Sequence, residues 1–181
     1  MKIWTFLTVF LIWMASVLPA QTCYDILSFG AKGDGVTDDA MAIQKAIDRC
    51  SAEGGGIVLL PRNHVFLSGP IELKSQVELH LEATATLKAN PDEGIYRLSA
   101  FGENRGEGML WLWAKDAENI SITGKGTIHG NGIAFMGAEL GDSYELKPLA
   151  DQTFDPRPHV LTLTNVTNLT IRDVTIKEGA Y

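Results

Sequence analysis

The segment Asn119-Ile-Ser-Ile-Thr-Gly-Lys-Gly-Thr-Ile-His-Gly130 decides the fold, because it recurs as Asn168-Leu-Thr-Ile-Arg-Asp-Val-Thr-Ile-Lys-Glu-Gly179. A constant offset of 49 residues places Asn on Asn and Gly130 on Gly179, and only Ile176 is one place out of step with Ile128. Each copy alternates apolar and polar residues in two short segments separated by a turn, which is typical of half-buried β-strands. Repetition of a short strand unit predicts a solenoid. We interpret the copies as two coils of a parallel β-helix.

A third and weaker copy begins at Gln76, where apolar and polar residues alternate over Val77–Leu81. One coil cannot bury its apolar stripe alone, so each coil needs the apolar residues of a neighbour. Asn119 and Asn168 hold the same position in their coils. Their amides either stack and pass hydrogen bonds from coil to coil or belong to ordinary turn asparagines. Gln76 fits the same amide role.

The N-terminal segment 1–20 has the features of a secretory signal peptide. Lys2 precedes a long apolar run, and the segment ends in the small residue Ala20, which suits cleavage. The apolar run is shorter than the ~20 residues that a membrane span needs, which disfavours an anchor. Lipidation at Cys23 is a further alternative, disfavoured by the residue before it. We expect a secreted protein, periplasmic or extracellular, with no membrane segment in residues 21–181.

Charge limits the partners of this chain of 181 residues. Its formal net charge is −7 and it contains no basic run, so nucleic acid is a poor partner. An acidic ligand would need locally placed cations, for which Arg97, Arg105 and Arg157 are candidates.

Two cysteines, Cys23 and Cys50, follow the predicted cleavage site. An oxidising destination permits a disulfide between them. Two separate buried thiols are the alternative, and the sequence leaves both open.

The start of the mature chain predicts a cap on the solenoid. We expect Tyr24–Gly30 to form a short strand ending in a turn, and a glycine-rich loop to follow it. Thr37 or Asp38 is expected to cap a helix that ends at Gly54–Gly56, before a buried strand at Ile57–Leu60. Such a helix would cover the unpaired end of the first coil. Its apolar stripe consists of Ala40, Ile43, Ile47 and Cys50.

The glycines and acids of residues 30–39 do not form a ligand motif. A phosphate-binding loop needs a Gly-Lys-Ser/Thr ending, and a calcium loop needs oxygen ligands at alternate positions before its glycine. The sequence has neither, so it predicts no metal site and no cofactor.

The chain resembles the pectinase-type β-helix enzymes. Its opening, Phe29-Gly-Ala-Lys-Gly-Asp-Gly-Val-Thr-Asp-Asp39 with Val58-Leu-Leu-Pro61, is shared with pectate-lyase-like proteins and viral tailspikes, so it indicates fold rather than reaction. The later segments Phe66–Ser75 and Ile120–Gly132 resemble glycoside hydrolase family 28, the polygalacturonases. The resemblance covers residues 24–181. It implies an all-β chain folded as a right-handed parallel β-helix with an N-terminal capping helix, incomplete at its C-terminal end.

The resemblance also implies inverting hydrolysis of α-linked galacturonan, with one carboxylic acid protonating the leaving oxygen and another carboxylate activating water. The family carries these groups in Asn-Thr-Asp and Asp-Asp motifs, followed by Gly-His-Gly and Arg-Ile-Lys motifs that help to bind the acidic sugar. None of the four motifs occurs here in the family's context, because the only Asp-Asp pair, Asp38-Asp39, lies at the start of the predicted cap helix. We therefore assign no catalytic residue, leave the substrate-binding residues unknown, and expect the motifs on coils that follow residue 181. His129 and Phe135 depart from the family pattern, which usually has Asp at the first position and Trp near the second.

Two groups of residues could form a site of their own. Glu78, His80 and Glu82 share one face of a strand, where two-residue steps are ~6.6 Å apart and would suit an inverting pair. The alternative is a solvated outer face. Trp111 and Trp113 either stack on sugar rings or, as we favour, pack as apolar residues.

Two insertions interrupt the coils, at Pro91–Gly108 and Asn131–Pro158. We expect the first to cover the tryptophans. The second could form a wall of a substrate cleft, because long loops on a rigid solenoid often carry function.

The sequence thus predicts the N-terminal part of a secreted, polygalacturonase-like glycoside hydrolase acting on pectic polysaccharide, polygalacturonan or rhamnogalacturonan. Without the catalytic coils, we expect residues 1–181 to be inactive. The alternatives are a non-catalytic β-helix, either carbohydrate-binding or tailspike-like, and a pectate-lyase-type enzyme.

Overall fold

The computed structural model describes residues 21–101, 108–140, 144–146 and 157–180. Within them the chain winds into successive coils whose strands pair in parallel along three faces. Coils begin at Gly56, Val77, Ile120 and Leu169, where strands of the first face start. The predicted parallel β-helix is therefore confirmed, including the third and weaker repeat.

The first and second faces are continuous ladders of parallel strands. The first face consists of β1 (Cys23–Asp25), β3 (Gly56–Leu60), β6 (Val77–Leu81) and the C-terminal parts of two longer strands, β8 (Met109–Gly124) and β12 (Pro158–Ile171). The second face consists of β2 (Asp34–Asp38), β4 (Val65–Ser68), β7 (Thr86–Ala89), β9 (Thr127–His129) and β13 (Thr175–Lys177).

The third face shows why β8 and β12 are long. The short strand β5 (Ile71–Glu72) pairs with Leu112 and Trp113 in β8, whose later residues pair with β6 on the first face. β8 therefore begins on the third face, turns a corner and ends on the first face, and it stays paired with β12 along both parts. A separate antiparallel pair lies in the second insertion, formed by β10 (Met136–Leu140) and β11 (Tyr144–Leu146).

The core consists of columns of apolar side chains that run through successive coils. On the first face Leu79 and Ile122 are both fully buried and lie in register with Ile171. Burial depends on the neighbouring coil, because Leu169, Ile171 and Ile176 are 39–46 % exposed in the fourth coil. Their equivalents in the third coil are at most 1 % exposed; they are Ile120, Ile122 and Ile128. Stacking, rather than local sequence, removes these side chains from water.

A left-handed backbone conformation marks the corner before the first face in every coil. The corner residues are Gly55, Gln76, Asn119 and Asn168, all with positive φ. Asn168 Nδ2 donates to Asn119 Oδ1 at 2.9 Å, which confirms the predicted amide contact between coils. A second ladder lies three residues earlier, where Asn165 Nδ2 donates to Asp116 Oδ1 at 2.7 Å. The corner thus combines a favoured asparagine conformation with side-chain bonds along the solenoid axis.

The predicted register is correct on the first face and wrong on the second. Ile171 pairs with Ile122, but Thr175 pairs with Thr127 and Lys177 with His129. The chain from Ile171 to Thr175 in the fourth coil is therefore one residue shorter than the equivalent chain from Ile122 to Thr127 in the third. The one-place slip seen at Ile176 therefore applies to the whole second-face strand, so that Gly130 does not align with Gly179. Because of this shorter connection, Ile176 pairs with Ile128 and lies in the same column of apolar side chains.

The capping helix α1 spans Ala40–Ala52 and buries the predicted stripe apart from Ala40, which is half-buried. It starts later than predicted, because Asp34–Asp38 forms β2 of the second face. Asp39 holds the N-cap position, but Asp38, one of the two predicted caps, accepts from the backbone N–H of Ala40 at 2.8 Å. It also accepts from Gly69 N and Asn90 Nδ2, so tertiary contacts hold it outside the helix.

Asp39 explains the preceding glycine-rich loop. It is 2 % exposed and accepts from Lys32 N at 2.6 Å and Gly33 N at 3.0 Å. The loop is therefore organised around a structural carboxylate rather than a ligand. Tyr24–Gly30, predicted as one strand, divides into β1 and a 3-10 turn at Ile26–Phe29.

Both insertions leave the solenoid at the same corner, between the second and third faces. The corner takes residues 69–70 in the first coil, 90–108 in the second and 130–157 in the third. The insertions touch where Tyr96 packs edge-on against Phe135, with ring centroids 5.9 Å apart. Both rings are buried, so a small core joins the insertions. Phe135, one of the departures from the family pattern, has this packing role.

Cys23 and Cys50 are not bonded to each other. Neither predicted alternative is correct: the cysteines form no disulfide, and only Cys50, on the buried face of α1, is a buried thiol, whereas Cys23 is exposed. Burial raises the pKa of the Cys50 thiol to about 11.

We expect Gly55→Ala to destabilise the protein more than Gly54→Ala. Both glycines have positive φ, so alanine adds about 1–2 kcal/mol of backbone strain at either position. A Cβ at Gly54 meets nothing within 4 Å, whereas one at Gly55 would lie 2.5 Å from the carbonyl oxygen of Gln76. Urea unfolding of both variants measures the difference. Equal losses would show that close coil contact at this corner is unimportant.

Candidate functional site

An open cleft of about 320 Å³ lies on the outer side of the first face, where strands of successive coils end. It includes the residues that the sequence suggested as an independent site. Its charged and polar lining consists of Arg62, Glu78, His80, Glu82, Thr123, Lys125, Arg172 and Asp173. The parallel register brings these residues together, because His80, Thr123 and Arg172 hold equivalent positions in three successive coils.

A hydrogen-bonded triad forms the floor of the cleft. The hydroxyl of Thr123 donates to Glu78 Oε1 at 2.6 Å and lies 2.7 Å from His80 Nδ1. Thr123 is only 4 % exposed, and the two other side chains are partly exposed. His80 Nδ1 also lies 3.5 Å from Glu78 Oε1. One buried hydroxyl therefore fixes both the carboxylate and the imidazole.

Glu82 is bound to Arg62 at the rim of the cleft. The guanidinium donates from Nε to Oε2 at 3.2 Å and from an Nη to Oε1 at 3.1 Å. The backbone N–H of Arg62 adds a third bond to Oε2. These contacts lower the pKa of Glu82 to about 2, with the guanidinium as the largest cause. Glu82 is consequently ionised throughout the neutral range.

This arrangement does not provide an inverting pair. A general acid must keep its proton until the leaving oxygen takes it, and Glu82 is already ionised and held by Arg62. Glu78 and Glu82 are also four residues apart, which is ~13 Å along an extended strand. The two carboxyl groups of an inverting enzyme lie only ~6.5–9.5 Å apart. The alternative predicted from the sequence, a solvated outer face, is correct for where these side chains lie. It does not account for the hydrogen bonds by which Thr123 fixes Glu78 and His80.

The tryptophans are not a sugar platform. Trp111 is fully buried, and its indole Nε1 donates to Ser68 Oγ at 3.0 Å. Trp113 is half-buried on the third face. The first insertion does pack beside this strand, since Leu110 N donates to Leu98 O. The burial of Trp111 agrees with the packing role that we favoured. The hydrogen-bond partner of Trp111, however, is Ser68 in β4 and not a residue of the first insertion.

Neither Arg97 nor Arg157 lines the cleft. Arg97 is exposed in the first insertion and Arg157 is half-buried before β12, whereas Arg105 lies outside the described residues. The cations that do line it are Arg62, Lys125 and Arg172. Residues 141–143 and 147–156 of the second insertion, which was predicted as a cleft wall, also lie outside the described residues.

His129, the other departure from the family pattern, lies on the second face between Lys88 and Lys177 of the neighbouring strands. Its Nδ1 accepts from the backbone N–H of Asn131 at 3.0 Å. Burial lowers its pKa, opposed by Glu178, whose Oε1 lies 3.5 Å from Nε2, and assisted by the two lysines. The residue is accordingly a packing and hydrogen-bonding group.

Sequence reasoning missed five of the charged and polar cleft residues: Arg62, Thr123, Lys125, Arg172 and Asp173. For Thr123 and Arg172 the repeat itself contained the signal, because a residue aligned with His80 in the next coils faces the same side of the same sheet. Among the described residues no group of three or more His, Cys, Asp or Glu side chains is arranged to hold a metal ion. The described helices also include none with the length and apolarity to cross a bilayer.

Comparison with known proteins supports the polygalacturonase resemblance. A family model described as rhamnogalacturonase A/epimerase, pectate lyase-like, matches residues 24–105. A polygalacturonase of Persea americana is 29% identical over 162 residues, covering 88% of this chain and 32% of that protein. The structure of a hyperthermoactive exopolygalacturonase from Thermotoga maritima matches with a TM-score of 0.68 at 27% identity. That match covers 89% of this chain and 43% of that chain.

The same fold also occurs in a protein described as an adhesin. PfbA, a surface adhesin of Streptococcus pneumoniae, matches with a TM-score of 0.61 and 28% identity, covering 86% of this chain and 33% of that chain. The chain spans about a third of the length of the curated polygalacturonases that it matches.

Coil stacking and these neighbours define the class: the chain is a right-handed parallel β-helix of the pectin-lyase-like kind. Within that class it is polygalacturonase-like, and the predicted resemblance to glycoside hydrolase family 28 is confirmed.

We expect Arg62→Gln to raise the pKa of Glu82 from about 2 towards, but not to, the ordinary value of about 4.3. The variant loses the guanidinium and keeps the backbone bond. Because the folded-state pKa is depressed, the pair stabilises the fold above pH ~4.3, and this contribution disappears as the pH falls towards 2. The variant should lose less stability over that window.

The measurement is an NMR titration of the Glu82 side-chain carboxyl carbon. Lys125→Gln is the matched control, since Lys125 lines the same cleft without pairing with Glu82. An unchanged Glu82 titration in Arg62→Gln would show that the guanidinium is not the cause.

Proposed function

We propose that this chain is the N-terminal part of a secreted polygalacturonase-like glycoside hydrolase that cleaves pectic polysaccharide by inverting hydrolysis. The catalytic coils would lie outside residues 1–181. The observation that supports this proposal best is the extent of the exopolygalacturonase match. It covers 89% of the chain, so it includes the coils as well as the cap that many β-helix proteins share.

The described residues fit the role of a scaffold for such an enzyme. They contribute stacked coils, a capped N-terminal end and two insertions that meet at one corner. Their one candidate carboxylate pair, Glu78 and Glu82, has the wrong spacing and ionisation for inversion. Catalysis by this family requires no cofactor, and secretion follows from the leader-like segment 1–20.

A non-catalytic binding protein is the second candidate. The observation that favours it is the adhesin neighbour, which has 28% identity to this chain, about the same as the exopolygalacturonase. Under this alternative the solenoid would present a binding surface and no hydrolytic coil would exist.

We expect the purified chain, residues 21–181, to release no reducing ends from polygalacturonate, because it lacks an acid and base in inverting geometry. A reducing-end assay measures this, with an active polygalacturonase as the positive control. Hydrolysis by the purified chain would overturn the assignment of catalysis to other coils. Products with new ultraviolet absorbance would instead indicate a lyase.

The reading frame beyond the codon for Tyr181 tests the larger proposal. An in-frame continuation with Asn-Thr-Asp, Asp-Asp, Gly-His-Gly and Arg-Ile-Lys motifs is the expected result. The longer protein should then release sugars of inverted anomeric configuration, detected by NMR of the first products. A stop codon at this position would favour the binding protein.

A further inference from the structure

The cleft on the first face has no role in the proposed hydrolysis, yet hydrogen bonds fix several of its polar side chains in place. Four successive coils contribute to it, from Arg62 in the first to Arg172 in the fourth. It is concave, with a volume of about 320 Å³, which matches the lower end of small-ligand sites.

The triad fixes the hydrogen-bonding character of the floor. A hydroxyl has one proton, and that of Thr123 is donated to Glu78 Oε1. Thr123 can therefore only accept from His80 Nδ1, which must carry a proton. In the neutral ring Nε2 is then an acceptor. The cleft consequently offers two preorganised acceptors, the Glu78 carboxylate and His80 Nε2.

The rim supplies available cations. Lys125 and Arg172 line the cleft, are exposed, and form no ion pair within the part of the chain that the structure describes. Arg62 differs from them because Glu82 neutralises it. Asp173 places one carboxylate on the same rim, so an anionic ligand would lie towards Lys125 and Arg172.

Cations beside fixed acceptors select a ligand that carries both a negative charge and hydroxyl donors. A simple inorganic anion would use only the cations, and a neutral sugar would use only the acceptors. A uronic acid meets both requirements, with a carboxylate for a guanidinium and ring hydroxyls for Glu78 and His80.

We propose that this cleft is a binding site for a uronic acid unit of an acidic oligosaccharide, on a face that the proposed catalysis does not use. Arg172 and Lys125 pair with the sugar carboxylate, and Glu78 and His80 accept from its hydroxyls. The charge and acceptor pattern carries this assignment, and the proposed pectic substrate makes galacturonate the uronate to test first.

Titration of trigalacturonate into the isotope-labelled chain, followed by NMR, tests the proposal. We expect saturable shifts at the amides of Thr123, Lys125 and Arg172. Arg172→Gln and Lys125→Gln should each weaken binding by about tenfold, the effect of losing a charge-assisted hydrogen bond. Both residues are exposed, so the variants should fold; the matched controls Lys45→Gln and Arg97→Gln are exposed residues outside the cleft.

A neutral galactotriose and inorganic sulfate complete the experiment. Weak or no binding of both supports a site for uronate. Equal binding of galactotriose, an unchanged affinity in Arg172→Gln, or an absence of shifts in the cleft would each overturn the proposal. Failure of the hydrolase proposal would be visible separately, in the activity of the longer protein rather than in sugar binding by this chain.

Discussion

The register between successive coils is the constraint on which this structure depends. A one-residue shift in a β-strand exchanges its inner and outer side chains, so the core exists only if each strand starts at the correct place. Left-handed residues at the corner before the first face, such as Gln76 and Asn119, fix that starting point. The columns of buried side chains, and the polar cleft on their outer side, both follow from it.

The corners also absorb differences in length between coils. Between equivalent positions of the first and second faces, the fourth coil has one residue fewer than the third, and yet Ile176 returns to the column of Ile128. Much longer segments are accommodated at the corner between the second and third faces. A solenoid of this kind therefore tolerates additions wherever the backbone can leave one ladder and rejoin the next, since loop closure costs grow slowly with length.

Periodicity in the sequence was sufficient to predict the coils and the buried stripe of the cap helix, and it left the amide contact between Asn119 and Asn168 as one of two alternatives. The start of the helix was not predictable, because Asp38 is bound by Gly69 and Asn90, residues distant in the chain. The ion pair of Glu82 likewise depends on Arg62, a partner twenty residues away in the chain. Such contacts are set by how the coils stack, whereas propensity and pattern describe only neighbours along the chain.

The candidate site could be predicted only in part from the sequence. Glu78, His80 and Glu82 were visible as one strand face, but their chemistry depends on Thr123 of the next coil. The repeat could have located Thr123 and Arg172, since copies aligned at Gln76, Asn119 and Asn168 place both of them with His80. It could not have shown that one hydroxyl orients both a carboxylate and an imidazole, which is a property of side-chain geometry.

The amide ladders have a consequence for covalent modification of the protein. Asn119, Asn165 and Asn168 each begin an Asn-x-Ser/Thr sequence, the acceptor for N-linked sugar. The nitrogen that would receive the glycan on Asn165 or Asn168 is the atom that donates to Asp116 or Asn119 of the preceding coil. In a host that glycosylates secreted proteins, attachment of a glycan during synthesis would thus compete with the stacking of one coil on the next.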